Sequence, residues 1–221
     1  MTKRPAAVTS QLEQFFSDHD SYYAPKLTEH GANPLGVDWN TDERQRLSFS
    51  QLGKLIDGSK AFSMIDFGCG YGALLPYLEK RGWTFDYTGV DVLERMVEAA
   101  REAYGETSSR RFRLPGDDLP VADYLIACGV LNLKLDVGVE PWTEYCLDMI
   151  GRFDRLSRKG FAFNMLTSYS HPERRRDDLY YGNPGFFFDH CKRNLSPNVA
   201  LLHDYGHYEF TIVVRSDAQP G

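Results

Sequence analysis

The sequence predicts an α/β fold: a doubly wound, mostly parallel sheet with helices on both faces, in three layers. Short apolar runs at 61–67, 84–91, 110–114, 121–128 and 160–166 each end in loop residues, as strands buried on both faces do. Helical patterns separate most of them, and strand–helix alternation implies right-handed crossovers and a ligand site at the carboxyl ends of the strands. The end of the chain breaks this rhythm. Runs 199–206 and 207–215 are separated by little more than Gly206, too close for a parallel crossover, so they form an antiparallel pair.

The elements follow in order. Residues 1–59 hold a helix near 10–17 and another over 42–57, where Leu47, Leu52, Leu55 and Ile56 make an apolar face. This segment is too long for a tail and is expected to form a helical cap or lid over the ligand pocket of a core at 60–221, the two making one structural domain. The first strand, AFSMIDF at 61–67, runs into a glycine-rich turn. After the second strand, TFDYTGVD at 84–91, residues 92–104 form a helix with Val92, Met96, Val97 and Ala100 at helical spacing. RRFRL at 110–114 and VADYLIAC at 121–128 supply the third and fourth strands. A helix over 141–157 is expected to begin at Pro141, because a first-turn proline loses no intrahelical bond. GFAFNML at 160–166 is the fifth strand.

Composition narrows the function. The 221 residues are 42% hydrophobic, enough for one sizeable core, and the net charge of −6 argues against a surface built to neutralise phosphates. The start, MTKRPAAVTSQLEQFF, has no apolar signal-peptide core, and no run reaches the roughly 20 apolar residues of a membrane span, so a cytoplasmic location is expected. Cys69, Cys128, Cys146 and Cys191 form no CxxC pair, so neither a disulfide framework nor a zinc site is expected. No metal motif is present, and the oligomeric state, monomer or homodimer, is not encoded in any legible pattern.

The stretch MIDFGCGYGALL at 64–75 carries the chemistry. Gly68, Gly70 and Gly72 let the backbone turn sharply at positive φ and come within contact distance of a ligand. Their GxGxG spacing differs from the dinucleotide GxGxxG. Asp91 closes the next strand about 20 residues on, where a carboxylate can accept both hydroxyls of a ribose. Asp66-Phe67-Gly68-Cys69-Gly70-Tyr71-Gly72 resembles the (D/E)xGxGxG pattern of class I S-adenosylmethionine-dependent methyltransferases, and the chain looks like one from about residue 60 onward. The acidic end of the second strand, Gly116-Asp117-Asp118 after the third and the closing hairpin agree with that family's layout.

The resemblance implies a Rossmann-like seven-stranded sheet whose last strand is inserted antiparallel. It also implies a cofactor, S-adenosyl-L-methionine, lying across the ends of strands one to four and leaving as S-adenosyl-L-homocysteine. Asp66, Gly68, Cys69 and Gly70 would then border the amino-acid moiety, Asp91 the ribose, and Val92 and Met96 the adenine. Asp117 or Asp118 would either accept from the adenine amino group or sit in a solvated turn. Gly129, in the CGVLN run after the fourth strand, would give backbone access at the methionine end, with Asn132 near the acceptor.

The acceptor is expected to be a small molecule, methylated on oxygen or nitrogen, of the specialised-metabolite class. The base-methylating (N/D/S)PP(Y/F) motif is absent after the fourth strand, and nucleic acid and membrane are not favoured partners. A general base is optional for such a transfer; His171, His190 and Tyr181, in or near the loop after the fifth strand, are the candidates. Tyr22, Tyr23, Trp39 and Arg46 are candidates for a lid or acceptor contact. The rivals are a protein or RNA methyltransferase, a non-catalytic S-adenosylmethionine-binding protein and an NAD-dependent oxidoreductase.

Overall fold

The computed structural model describes residues 6–216 apart from Asn40 and Asp117, with side chains from Ser17 onward. Its strands are β1 (Phe62–Phe67), β2 (Phe85–Val90), β3 (Arg110–Arg113), β4 (Ala122–Ala127), β5 (Ser157–Leu166), β6 (Asn198–Leu202) and β7 (Glu209–Arg215). They form one seven-stranded sheet in the order β3-β2-β1-β4-β5-β7-β6. The first five run parallel, whereas β7 lies antiparallel between β5 and β6. The order reverses beside β1 and β4, so their carboxyl ends flank the crevice where an open sheet of this kind receives a ligand.

Alternation along the strands makes the layers. Ile65, Phe67, Leu125, Ala127, Phe161 and Phe163 face one core, completed by helices α5 (Val139–Leu156) and α6 (Pro184–Asn194). Met64, Tyr124, Ile126 and Ala162 face the other, with helices α2 (Asp42–Leu52), α3 (Leu74–Glu79) and α4 (Glu94–Tyr104). Trp142, Phe153 and Phe187 are fully buried, and at roughly 3–5 kcal/mol for truncation of such a ring they hold the α5 and α6 layer in place.

Several boundaries differ from the sequence pattern. Helix α1 runs from Ala6 to His30, straight through Pro25, well beyond the expected turns near 10–17. Helix α2 stops at Leu52 and passes into a short 3-10 turn, Gly53–Leu55. Helix α5 begins at Val139, so Pro141 is its third residue and not its first, still within the turn whose amides need no partner. Helix α6 has no counterpart in the expected pattern, although Asn183 caps it through the Phe186 amide and Pro184 opens it. No helix among the described residues is long and apolar enough to cross a membrane.

Candidate functional site

The turn after β1 is built by β2 as much as by its own glycines. The Gly68 and Cys69 amides donate to the Val90 carbonyl at 2.7 and 3.0 Å, and the Gly72 amide donates to the Cys69 carbonyl at 2.9 Å. The Gly70 amide donates to Asp91 Oδ2 at 2.8 Å, while Asp91 Oδ1 accepts from the Leu93 amide at 3.0 Å. Asp91 therefore ties the turn to the end of β2. Gly68 and Gly70 sit at φ of 74° and 53°, and a Cβ on Gly70 would stand 3.4 Å from Val37, inside the space above the turn. The turn's amides are mostly spent within the protein, so it offers a ligand bare Cα surface and carbonyls, not a cradle of free N–H groups for phosphate.

Two buried carboxylates face that space. Asp66, on the last turn-ward residues of β1, accepts from the Tyr87 hydroxyl at 2.5 Å. Burial pushes its pKa up to about 7, the Tyr87 hydrogen bond pulling the other way and Asp91 adding to the rise. Burial also raises Asp91, against the backbone amides of Leu93, Gly70 and Val92 that stabilise its charge. A cation placed between them would offset both penalties. The Cys69 and Cys128 thiols are pushed well above the ordinary cysteine range, chiefly by burial, which keeps them protonated and poor nucleophiles.

One cavity joins these groups. Asp66, Gly68, Cys69, Gly70, Asp91, Val92, Met96 and Gly129 all line it, so eight of the sequence-selected cofactor positions converge there. Tyr23 and Trp39 line it too, with Val37, from the segment before β1. Burial raises the Tyr23 hydroxyl, with Asp38 next in effect, so it stays protonated. Helix α1 is fastened across this region. Arg95 on α4 makes paired hydrogen bonds to Asp20 at 2.6 and 2.8 Å, and His19 Nε2 donates to the Leu133 carbonyl at 3.1 Å. Tyr22 and Lys26 both bond Asp38, and Arg176 reaches the Tyr22 hydroxyl at 2.6 Å.

Other sequence-selected positions lie outside the cavity. Asp118 is exposed and paired with Arg113 at 2.6 Å, so it stands in a solvated turn; Asp117 lies outside the described residues. Arg46 borders a separate depression with Tyr71, Tyr77 and Lys80, and pairs with Asp42 at 2.5 Å. Asn132 Oδ1 accepts from the Leu166 amide at 2.9 Å, and its backbone carbonyl accepts from Tyr180 at 2.7 Å, so it joins the loop after β4 to β5. His171 is exposed, with Glu173 3.9 Å away, and His190 on α6 meets Asn194. The Tyr181 hydroxyl accepts from the Arg176 amide at 3.0 Å. None of these three lines the cavity. Gln45, Phe49, Tyr145 and His19 do line it, and sequence reasoning passed over them because each lies on a helix remote from the glycine turn. Among the described residues, no group of three or more His, Cys, Asp or Glu side chains is placed to hold a metal.

Comparison with known proteins bears on the same region. A family model described as "Methyltransferase domain" matches residues 64–135, the segment holding the turn, Asp91 and the end of β4. Rv1506c of Mycobacterium tuberculosis (strain ATCC 25618 / H37Rv), which carries the name of a candidate methyltransferase, is 45% identical over 162 residues, 73% of this chain and 98% of its own. The chain belongs to the class I S-adenosylmethionine-dependent methyltransferases. In fold, this methyltransferase resembles magnesium protoporphyrin IX methyltransferase (ChlM) of Synechocystis PCC 6803, solved with bound SAH. That likeness has a TM-score of 0.64 at 16% identity and covers 95% of this chain and 99% of the other. Human N-acetylserotonin methyltransferase, solved in complex with SAM, has a TM-score of 0.55 at 16% identity, covering 92% of this chain and 67% of its own. The cofactor is S-adenosylmethionine, and the residues fit it: the buried carboxylates Asp66 and Asp91 suit a cationic ligand, and Gly70 leaves open space beside them.

Proposed function

We propose that this methyltransferase transfers a methyl group from S-adenosylmethionine to an oxygen or nitrogen of a small molecule of the specialised-metabolite class. The observation that carries this reading is the roof of the cavity: Tyr23, Val37 and Trp39, from the segment before β1, line it, with Val37 beside Gly70 and Trp39 beside Gly129. A cavity roofed by aromatic side chains suits a compact acceptor, and the net charge of −6 disfavours a nucleic-acid backbone. The spent amides of the turn weigh against a pyrophosphate-bearing nicotinamide cofactor.

On this reading, residues 1–59 act as the lid of a core at 60–221, held shut at Asp20–Arg95 and at the Tyr22–Asp38–Arg176 contacts. Asp91 holds the ribose, Asp66 supplies negative charge beside the amino-acid end, and Val92 and Met96 pack against the adenine. The sulfonium brings an already activated methyl group; the protein aligns the acceptor and excludes water. Transfer of labelled methyl groups tests the acceptor class. Incubation with a panel of phenols, carboxylic acids and amines, alongside total RNA and cell protein, should place label in the small-molecule fraction. Label confined to RNA or protein would overturn the acceptor assignment and leave the cofactor site standing.

A further inference from the structure

Two polar residues are buried in the apolar strands beside the cavity, and the cofactor-site reading leaves both without a task. Asn164 on β5 is wholly buried, and Glu209 at the start of β7 is 5% exposed. Glu209 pairs across the sheet with Leu166, two residues beyond Asn164, so the two side chains are diagonal neighbours on one face. Asn164 Nδ2 donates to Glu209 Oε2 at 2.9 Å. Asn164 Oδ1 accepts from the Gly129 amide at 2.6 Å, at the cavity wall. The other Glu209 oxygen meets the Ser48 hydroxyl from α2 and, at 3.5 Å, the Tyr205 hydroxyl.

The direction of these bonds is what matters. An amide side chain has a donor end and an acceptor end, and it can present either one. Glu209 accepts, so it takes the donor end and leaves the Asn164 oxygen toward Gly129. That oxygen fixes the peptide between Cys128 and Gly129. Among the described residues there is no cis peptide bond, so with the Gly129 N–H held toward β5, the Cys128 carbonyl points the opposite way, toward the β1 side. There Gly68 lines the same cavity. Among the described residues, the Cys128 carbonyl accepts no hydrogen bond.

We propose that Glu209 and Asn164 are positioning residues that aim the Cys128 carbonyl into the cavity as an acceptor for the ammonium group of the cofactor's amino-acid portion. This rests on the methyltransferase reading of the cavity. A carbonyl whose orientation is set before binding loses no freedom when the ligand arrives, so its hydrogen bond is retained in affinity.

The test uses two ligands and three variants. S-Adenosylhomocysteine carries the ammonium group, whereas 5′-methylthioadenosine lacks the amino-acid portion. Asn164→Leu removes the acceptor that holds the Gly129 amide, Glu209→Gln keeps an acceptor for Asn164, and the double variant Asn164→Asp/Glu209→Gln rebuilds the chain of bonds with its partners exchanged. Calorimetry at pH 8 should show Asn164→Leu weakening S-adenosylhomocysteine about tenfold or more, the scale of one lost charge-assisted hydrogen bond, with methylthioadenosine changed less than about twofold. Glu209→Gln should stay near wild type, and the double variant should regain most of the lost affinity.

Parallel losses for both ligands would mean the pair only supports the fold, and would overturn the proposal. So would an unaltered Asn164→Leu, or a double variant whose melting temperature recovers while its affinity for S-adenosylhomocysteine does not. A wild-type protein that binds neither ligand would instead remove the cofactor assignment, and this proposal with it.

Discussion

Replacement of Asp91 by alanine separates a ligand contact from a structural tie. Both carboxylate oxygens already accept a backbone amide, Gly70 at 2.8 Å and Leu93 at 3.0 Å, and each retains a further lone pair for a ribose hydroxyl. Losing hydrogen bonds to a charged acceptor should weaken the cofactor product by about 1.5–3 kcal/mol, roughly 10- to 150-fold. The same change strands two amides near the turn, at about 1–3 kcal/mol for each that water does not reach, so stability should fall as well. Affinity alone is therefore ambiguous. A cycle resolves it: titrate wild type and Asp91→Ala with S-adenosylhomocysteine and with its 2′,3′-dideoxy analogue. Wild type should prefer the hydroxylated ligand by about the amount above, and the variant should show little preference. An equal preference in both proteins would refute the ribose contact, whatever happens to the melting temperature.

Four further outcomes are expected. Asp66 has its pKa raised to about 7 by burial, so between the ordinary carboxylate range and that value the native state holds a proton that the unfolded chain has released. This contribution lowers ligand-free stability as pH rises across that window and then levels off, and Asp66→Asn should remove it from a pH series of denaturant melts. The sulfonium form should also gain affinity relative to the uncharged-sulfur product as pH passes through about 7, as Asp66 ionises. Gly70→Val places a β-branched residue at φ 53° and crowds Val37, so cofactor KM should rise at least about tenfold by calorimetric or kinetic titration. Trp39→Ala, which opens the roof over Gly129, should raise cofactor or acceptor KM more than it lowers Tm; unchanged kinetics would dispose of the lid.

Much of the fold was legible because the signals were local. The sheet's five parallel strands appear as separate apolar runs, and Gly206 marks the link between β6 and β7, although that link spans residues 203–208. The turn and Asp91 were legible for the same reason: glycine at positive φ and an acidic strand end are written in adjacent residues. Other features depend on contacts across the chain. Helix α1 passes through Pro25 while fastened to Arg95 and Leu133, partners far away in sequence, so its own pattern understates its length. Helix α6 did carry a signal, Asn183 before Pro184, hidden by the turn-like run of glycine and proline around it. The solvated position of Asp118 and the placement of His171, His190 and Tyr181 away from the cavity follow from how loops leave the sheet, which residue type alone does not specify. Asn164 and Glu209 had a weak mark, a polar residue inside each of two apolar runs, whose partners only the pairing of β5 with β7 brings together.

The most direct measurement is a crystal structure of the protein with S-adenosylhomocysteine. The account predicts ribose hydroxyls within hydrogen-bonding distance of Asp91 and the amino-acid portion against Gly68 and Gly70, beneath Trp39. Density for the ligand anywhere else, or a ribose turned away from Asp91, would contradict it.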